Sequence, residues 1–238
     1  LSGRAESPDP PAATPGPTRG LPADVAVVLL ADAPTVGPAA LVSLVAEILS
    51  AVPRGALLVL DRDRDVSRGG SSDSERFQRL IALRALTLEG GASLVVSGRA
   101  DLAVASGADG VQLPEAGLDA ATVRRHFPTL GIGRSCHDAP GLARAATEGA
   151  DWAILAPVWA PLSKAATSPP LGLDGFSALA GAARLPIVAL GGVTPGNCAA
   201  LRGVGARAVA SLGGILQAPA PNEAAAALVD AFRAGQFG

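Results

Sequence analysis

Eight short runs of β-branched and aliphatic residues recur along the chain, each followed by an Ala-, Leu- and Arg-rich stretch of helical period. The runs are Val25–Ala31, Ala56–Asp61, Ser93–Ser97, Gly110–Leu113, Gly131–Arg134, Trp152–Ala156, Ile187–Leu190 and Ala206–Leu212. They are apolar almost throughout, not alternating, which is the pattern of a parallel sheet covered on both faces. The periodicity predicts helices over 38–52, 74–89, 99–106, 119–127, 139–148, 174–183, 195–203 and 222–234. Asp119 and Asp138 read as N-caps, Pro195 as a first-turn proline, and Gly149 and Gly205 as residues just past a last turn. Eight βα units in about 215 residues predict an α/β chain folded as a single-domain (β/α)8 TIM barrel. The alternative is an open doubly wound sheet, which normally carries a Gly-rich loop after its first strand. Leu30-Ala31-Asp32-Ala33-Pro34 is no such loop.

Residues 1–22 carry six prolines and few large apolar side chains, so they read as a disordered leader ahead of a barrel domain at 23–238. The leader has no apolar h-region of a secretory signal.

Composition removes whole classes of function. Aromatic residues make up 3% of the 238, and neither Tyr nor Met is present, so stacking platforms for single-stranded nucleic acid are excluded. The net charge of −2 provides no basic surface for a phosphate backbone. The longest near-continuous apolar run, Trp152 to Leu162, is interrupted by Pro157 and Pro161 and is too short to span a bilayer. Cys136 and Cys198 supply neither a disulfide framework nor a metal cluster. What remains is a soluble, cytoplasmic enzyme or small-molecule binder with no nucleic-acid or membrane partner; a homodimer is compatible with it.

In a (β/α)8 barrel, chemistry sits at the C-terminal ends of the strands. Gly191-Gly192 and Leu212-Gly213-Gly214, at the last two strand tips, let a phosphate approach bare backbone amides, although tight turns alone would also explain them. His137 follows the fifth strand and can exchange a proton near neutrality, whereas His126 sits in a helix tail where the dipole accounts for it. Arg62 and Arg64 at the second tip can hold a carboxylate or phosphate, or form a solvated loop with Asp61, Asp63 and Asp65. Lys164, the one lysine, lies in the long loop after strand six. Cys136 reads as packing.

From about Val25 to Phe232 the chain resembles the thiamine phosphate synthase superfamily of barrels, which includes the thiazole tautomerases. The markers are Ala150-Asp151, Ala156-Pro157-Val158-Trp159, Gly172-Leu173-Asp174-Gly175, Pro186 to Pro195 and Gly205 to Leu216. Synthases of this superfamily hold Mg²⁺ with an aspartate in an Asn-Asp-Arg motif and another in a Gln-Glu-Asp motif. Here the matching residues are Ser97-Gly98-Arg99 and Glu115-Ala116-Gly117, with glycine at both aspartate positions. The Thr-x-Thr-Lys diphosphate clamp is reduced to Pro161-Leu162-Ser163-Lys164.

The tautomerase branch is the closer match, through Gly98-Arg99, Val111-Gln112-Leu113-Pro114, Arg62-Asp63-Arg64 and Ile132-Gly133-Arg134-Ser135-Cys136-His137. Two positions depart from it: Ala156 stands for a glycine, and Gly213 for a common serine. That branch implies an isomerase with no metal and no cofactor, aromatising a carboxylated thiazole phosphate. His137 is then its acid/base, Arg62, Arg64, Ser135 and Lys164 contact the substrate, and Gly191, Gly192, Leu212 and Gly213 hold the phosphate. The alternatives are the Mg²⁺-dependent synthase, with Glu115, Asp119 or Asp61 as substitute ligands, and a non-catalytic thiazole phosphate binder.

Overall fold

The structure is a computed structural model and describes residues 19–63, 70–160 and 169–235. In chain order the elements are β1 (Val27–Asp32), α1 (Ala33–Val36), α2 (Pro38–Ala51), β2 (Leu57–Arg62), α3 (Asp73–Gly90), β3 (Ser93–Ser97), α4 (Ala100–Ala105), β4 (Gly110–Leu113) and α5 (Ala120–His126). They continue as β5 (Gly131–Cys136), α6 (Ala139–Thr147), β6 (Trp152–Leu155), α7 (Gly172–Ala182), β7 (Ile187–Leu190), α8 (Cys198–Gly203), β8 (Ala206–Ser211), α9 (Gly213–Leu216) and α10 (Pro221–Ala234). The strands pair in sequence order, and β8 returns in parallel to β1 to close the barrel. The expected (β/α)8 fold is the observed one.

Strand residues divide by parity. Val28, Leu30, Leu58, Leu60, Val95, Ile154, Val188, Ala208 and Ala210 fill the barrel interior, while Val27, Leu29, Val59, Leu94 and Val96 belong to the layer beneath the helices. Both faces are buried, so the runs are apolar throughout. One indole, Trp152, is also part of the interior cluster. Glycines on β4 and β5 make room for it. A Cβ on Gly133 would come within 2.2 Å of Trp152 Nε1, and one on Gly131 within 3.1 Å of its ring.

Helix ends follow local chemistry. Asp119 accepts from Thr122 N at 2.6 Å and Asp138 from Gly141 N at 2.7 Å, as N-caps do. Ser72 and Glu75 form a capping box at α3. The expected helix at 195–203 begins only at Cys198, because Asn197 closes a turn first. Its Oδ1 accepts from Thr194 N at 2.8 Å, its Nδ2 donates to Gly192 O at 2.9 Å, and Pro195 sits inside that turn. The short helices α1 and α9 carry too little periodicity to be seen in the sequence.

Of the expected leader, residues 1–18 lie outside the described residues. Its last residues are held in place: Leu21 packs on the interior cluster, and Pro22 O accepts from Arg207 Nη2 at 2.7 Å. No helix among the described residues is long and apolar enough to cross a membrane.

Buried charge ties α3 to two strand tips. Arg76 Nε donates to Asp61 Oδ2 at 2.8 Å, and its Nη2 reaches Ser97 O at 2.8 Å, so one guanidinium joins the ends of β2 and β3. Arg79 engages Asp61 at 3.3 Å, Ser71 Oγ at 2.8 Å and Asp63. Burial pushes the Asp61 carboxyl above its ordinary range, against the pull of Arg76 and Arg79. Breaking a buried pair from one side leaves an uncompensated charge, at about 3–5 kcal/mol. Because Arg79 still pairs with Asp61, Arg76→Ala is expected to lower unfolding free energy in urea by less than that, about 1–3 kcal/mol. A loss below about 1 kcal/mol, the worth of an exposed pair, would show that the network is solvated.

Candidate active site

A cavity of about 330 Å³ opens at the C-terminal ends of the strands, and every strand or the loop after it contributes to its wall. Leu30, Leu60, Ile154, Leu190 and Leu212 form the apolar part, and Arg62, Ser97, Gln112, Glu115, Ser135 and His137 the polar part. A wider groove of about 510 Å³ lies on the outer surface between α6 and α7, but its walls are mostly alanine and leucine, and only Arg184 there is charged. Convergent polar groups mark the mouth cavity as the site.

The floor is a chain of hydrogen bonds. Trp152 Nε1 donates to Gln112 Oε1 at 3.0 Å, and Gln112 Nε2 donates to Ser135 Oγ at 3.3 Å. These contacts hold the amide orientation of Gln112, which is 3% exposed. The structure thus places Ser135 in the cavity wall, and Gln112 is a wall residue that the sequence offered only as part of a motif.

His137 stands on the rim, half-exposed, with Nδ1 2.6 Å from Ala156 O. A carbonyl only accepts, so Nδ1 carries the proton and Nε2 faces Glu115 Oε2 at 3.7 Å. Glu115 is positioned from behind by Arg134, which donates to Glu115 O at 2.9 Å and Leu118 O at 2.5 Å. The arginine of the Ile132–His137 segment is therefore a brace for the β4–α5 loop, not a substrate contact.

Arg62 ends β2 and enters the cavity wall. Its Nη1 lies 3.5 Å from Asp32 Oδ1, too far for a hydrogen bond, and Asp32 Oδ1 has no hydrogen-bond partner among the described residues. The other Asp32 oxygen accepts from Thr35 Oγ1 at 2.6 Å. Asp32 restrains the guanidinium by charge, and among the described residues no hydrogen bond engages its donors.

Gly191 and Leu212 reach the cavity wall from β7 and β8, with Gly192 and Gly213 next to them in the chain. Gly191 has φ +108°, and a Cβ there would lie 2.9 Å from Pro157 Cα, so close passage of the β6 loop is a second reason for glycine. Arg64 and Lys164, both expected at the site, lie outside the described residues.

Comparison with known proteins gives this mouth its context. The thiamine monophosphate synthase family matches residues 28–215, a span that includes every strand tip lining the cavity. The chain belongs to the thiamine monophosphate synthase family. It is 36% identical over 193 residues to the thiamine-phosphate synthase of Anaeromyxobacter dehalogenans, covering 81% of this chain and 84% of that protein. The thiamine-phosphate synthase of Roseiflexus castenholzii is 33% identical over 190 residues, covering 79% and 81%. Among solved structures, thiamine phosphate pyrophosphorylase from Pyrococcus furiosus superposes with a TM-score of 0.76 at 22% identity, covering 90% of this chain and 98% of that one, a likeness of fold.

These relatives overturn the isomerase expectation. They are named as synthases, which favours the transferase alternative and leaves the tautomerase branch unsupported. The Arg62-Asp63-Arg64 and Ile132–His137 motifs therefore do not single out a proton-shuttling member of the family.

Cys136 closes β5 facing the helix layer, fully buried. Burial pushes its thiol up to about 11. At pH 8 the folded protein is expected to leave Cys136 unlabelled by Ellman's reagent, with both cysteines reacting once it is denatured. Native labelling of Cys136 at the rate of a free thiol would place it on the cavity side.

Proposed function

We propose that the chain is a transferase of the thiamine-phosphate synthase type, joining a phosphorylated thiazole to a pyrimidine diphosphate at the barrel mouth. The observation that carries this reading is the family match across all eight strand tips, together with relatives named as synthases over four-fifths of their length. In such a condensation the thiazole nitrogen forms a bond to the pyrimidine methylene carbon. The carbon–oxygen bond to diphosphate breaks, and diphosphate leaves with the electron pair.

Each side of the mouth then has a task. The backbone amides at Gly191-Gly192 and Leu212-Gly213 hold the thiazole phosphate, since glycine tips let an anion approach the main chain. Arg62, at the end of β2 with Ser97 nearby, takes the diphosphate through its guanidinium fork. Gln112 and Ser135 orient the rings from the floor, and the leucine and isoleucine walls keep the reacting carbon in a low-dielectric setting. No carbon-bound proton moves in this reaction, so His137 has no proton to shuttle. Its Nε2 and Glu115 serve as hydrogen-bonding groups for the aminopyrimidine edge.

The family synthases imply Mg²⁺, and the residues present do not fit it. The two aspartate positions are Gly98 and Gly117, and among the described residues no group of three His, Cys, Asp or Glu side chains could hold a metal. No step above therefore runs through a metal ion.

Incubation of the purified protein with thiazole phosphate and pyrimidine diphosphate, read as thiamine phosphate by chromatography, tests the proposal. Product and free diphosphate are expected in equal amounts. Arg62→Gln is expected to lower kcat/KM by about ten- to a hundredfold, for a charge-assisted hydrogen bond of about 1.5–3 kcal/mol. Tight binding of thiazole phosphate without any product would make the chain a non-catalytic binder.

A further inference from the structure

The backbone around the two glycines shows more than a missing ligand set. At Gly117 a Cβ would lie 2.9 Å from both Pro114 Cδ and Cγ and 3.1 Å from Pro114 O, and Gly117 N already closes a turn onto Pro114 O at 2.9 Å. No side chain fits there while that turn stands. Gly98 has φ +73°, in the left-handed region, and its amide donates to Gln112 O at 2.9 Å. The β4–α5 loop is therefore remodelled around Gly117, whereas at Gly98 a Cβ would meet nothing within 4 Å and what is lost is the side chain alone.

Most of the acidic side chains that the described residues place at the strand tips are engaged by the protein itself, although one oxygen of Asp32 has no hydrogen-bond partner among them. Asp61 is held by Arg76 and Arg79, and Asp63 by Arg79. Asp73 and Asp101 are both bound to Arg99, at 2.6 and 2.7 Å. Asp119 and Asp138 cap helices. Asp32 is buried between Arg62 and Thr35. Among the described residues Glu115 is the one acidic side chain that lines the cavity, and it faces His137. Magnesium demands near-octahedral oxygen ligation and is ordinarily anchored by one or two carboxylates besides substrate phosphates. Among the described residues the cavity wall offers one carboxylate, set against an imidazole, and two strands away a guanidinium with no hydrogen-bond partner.

We propose that this chain binds its diphosphate without a divalent ion, Arg62 and the mouth amides supplying the counter-charge. The proposal rests on the synthase-type reading for the identity of the ligand, but it concerns how the anion is held. It departs from the family pattern at its most charged point, and it follows from the missing side chain at Gly98 and the closed turn at Gly117.

Calorimetric titration with inorganic pyrophosphate, in millimolar Mg²⁺ and separately in EDTA, tests it, with the electron paramagnetic resonance signal of free Mn²⁺ as a second readout. The dissociation constants are expected to agree within about twofold, Arg62→Gln to weaken both by about tenfold or more, and added protein to leave the Mn²⁺ signal unchanged. Binding tightened about tenfold or more by Mg²⁺, Mn²⁺ taken up by the protein, or no pyrophosphate binding in either buffer would each overturn the proposal. Glu115→Gln locates the failure: if it abolishes an Mg²⁺ gain, that carboxylate is a metal ligand. The condensation assay separates the two readings. Product formed only with Mg²⁺ defeats the metal-free inference and keeps the transferase. Metal-free pyrophosphate binding with no product under any condition keeps the inference and defeats the transferase.

Discussion

A tryptophan inside a barrel of eight short strands needs neighbours with almost no side chain, and the mouth of this protein depends on that requirement being met. Gly110, Gly131 and Gly133 on β4 and β5 leave the volume that the Trp152 ring occupies, and a Cβ at Gly133 would collide with both the indole and Gln112 Oε1. With the ring in place, its N–H fixes the Gln112 amide, and that amide in turn reaches Ser135. A buried polar group left without its partner costs about 1–3 kcal/mol, so the three residues hold one another in a single arrangement. Substrate would rest on that floor.

The rim is held from outside. Arg76 and Arg79 on α3 fasten the ends of β2 and β3, and Arg134 on β5 fastens the loop that carries Glu115. At the opposite end of the barrel, Asp109 accepts Leu94 N and Arg84, both at 2.8 Å, and Asp151 accepts Ile132 N and Arg124 at 2.7 and 2.6 Å. In each case an aspartate just before one strand accepts from the second residue of the preceding strand and from an arginine on the helix that leads into that preceding strand. Strand tips fixed in this way present Arg62, Ser97, Ser135 and His137 without help from long side-chain contacts inside the cavity.

Much of this was legible beforehand, for physical reasons. Fully apolar runs could only belong to a doubly covered parallel sheet, and Asp119 and Asp138 announced their helices because a capping carboxylate acts within three residues. Ala150-Asp151 served as a marker of resemblance, and the bonds to Ile132 N and Arg124 explain why an aspartate suits that place. Other features were hidden. The Asn197 turn that delays α8 competes with a proline-start pattern, and the roles of Gln112, Glu115 and Asp32 depend on contacts between strands distant in the chain. The reaction itself is not legible at Gly98 and Gly117, because the loss of a ligand states only what is not held there. Segments such as Ile132–His137 are accounted for by packing and bracing, with Gly133 admitting Trp152 and Arg134 holding a loop, whichever reaction the mouth carries out.

The central claim is a placement: phosphate at the β7 and β8 tips, rings over Gln112 and Ser135, and Arg62 beside them at the end of β2. A crystal structure with thiazole phosphate bound tests it most directly. The account predicts phosphate density within hydrogen-bonding distance of the Gly191-Gly192 and Leu212-Gly213 main chain, with the thiazole ring over the Gln112 amide. Density for the ligand in the groove between α6 and α7, or phosphate seated against Arg62 with the β7 and β8 tips vacant, would contradict it.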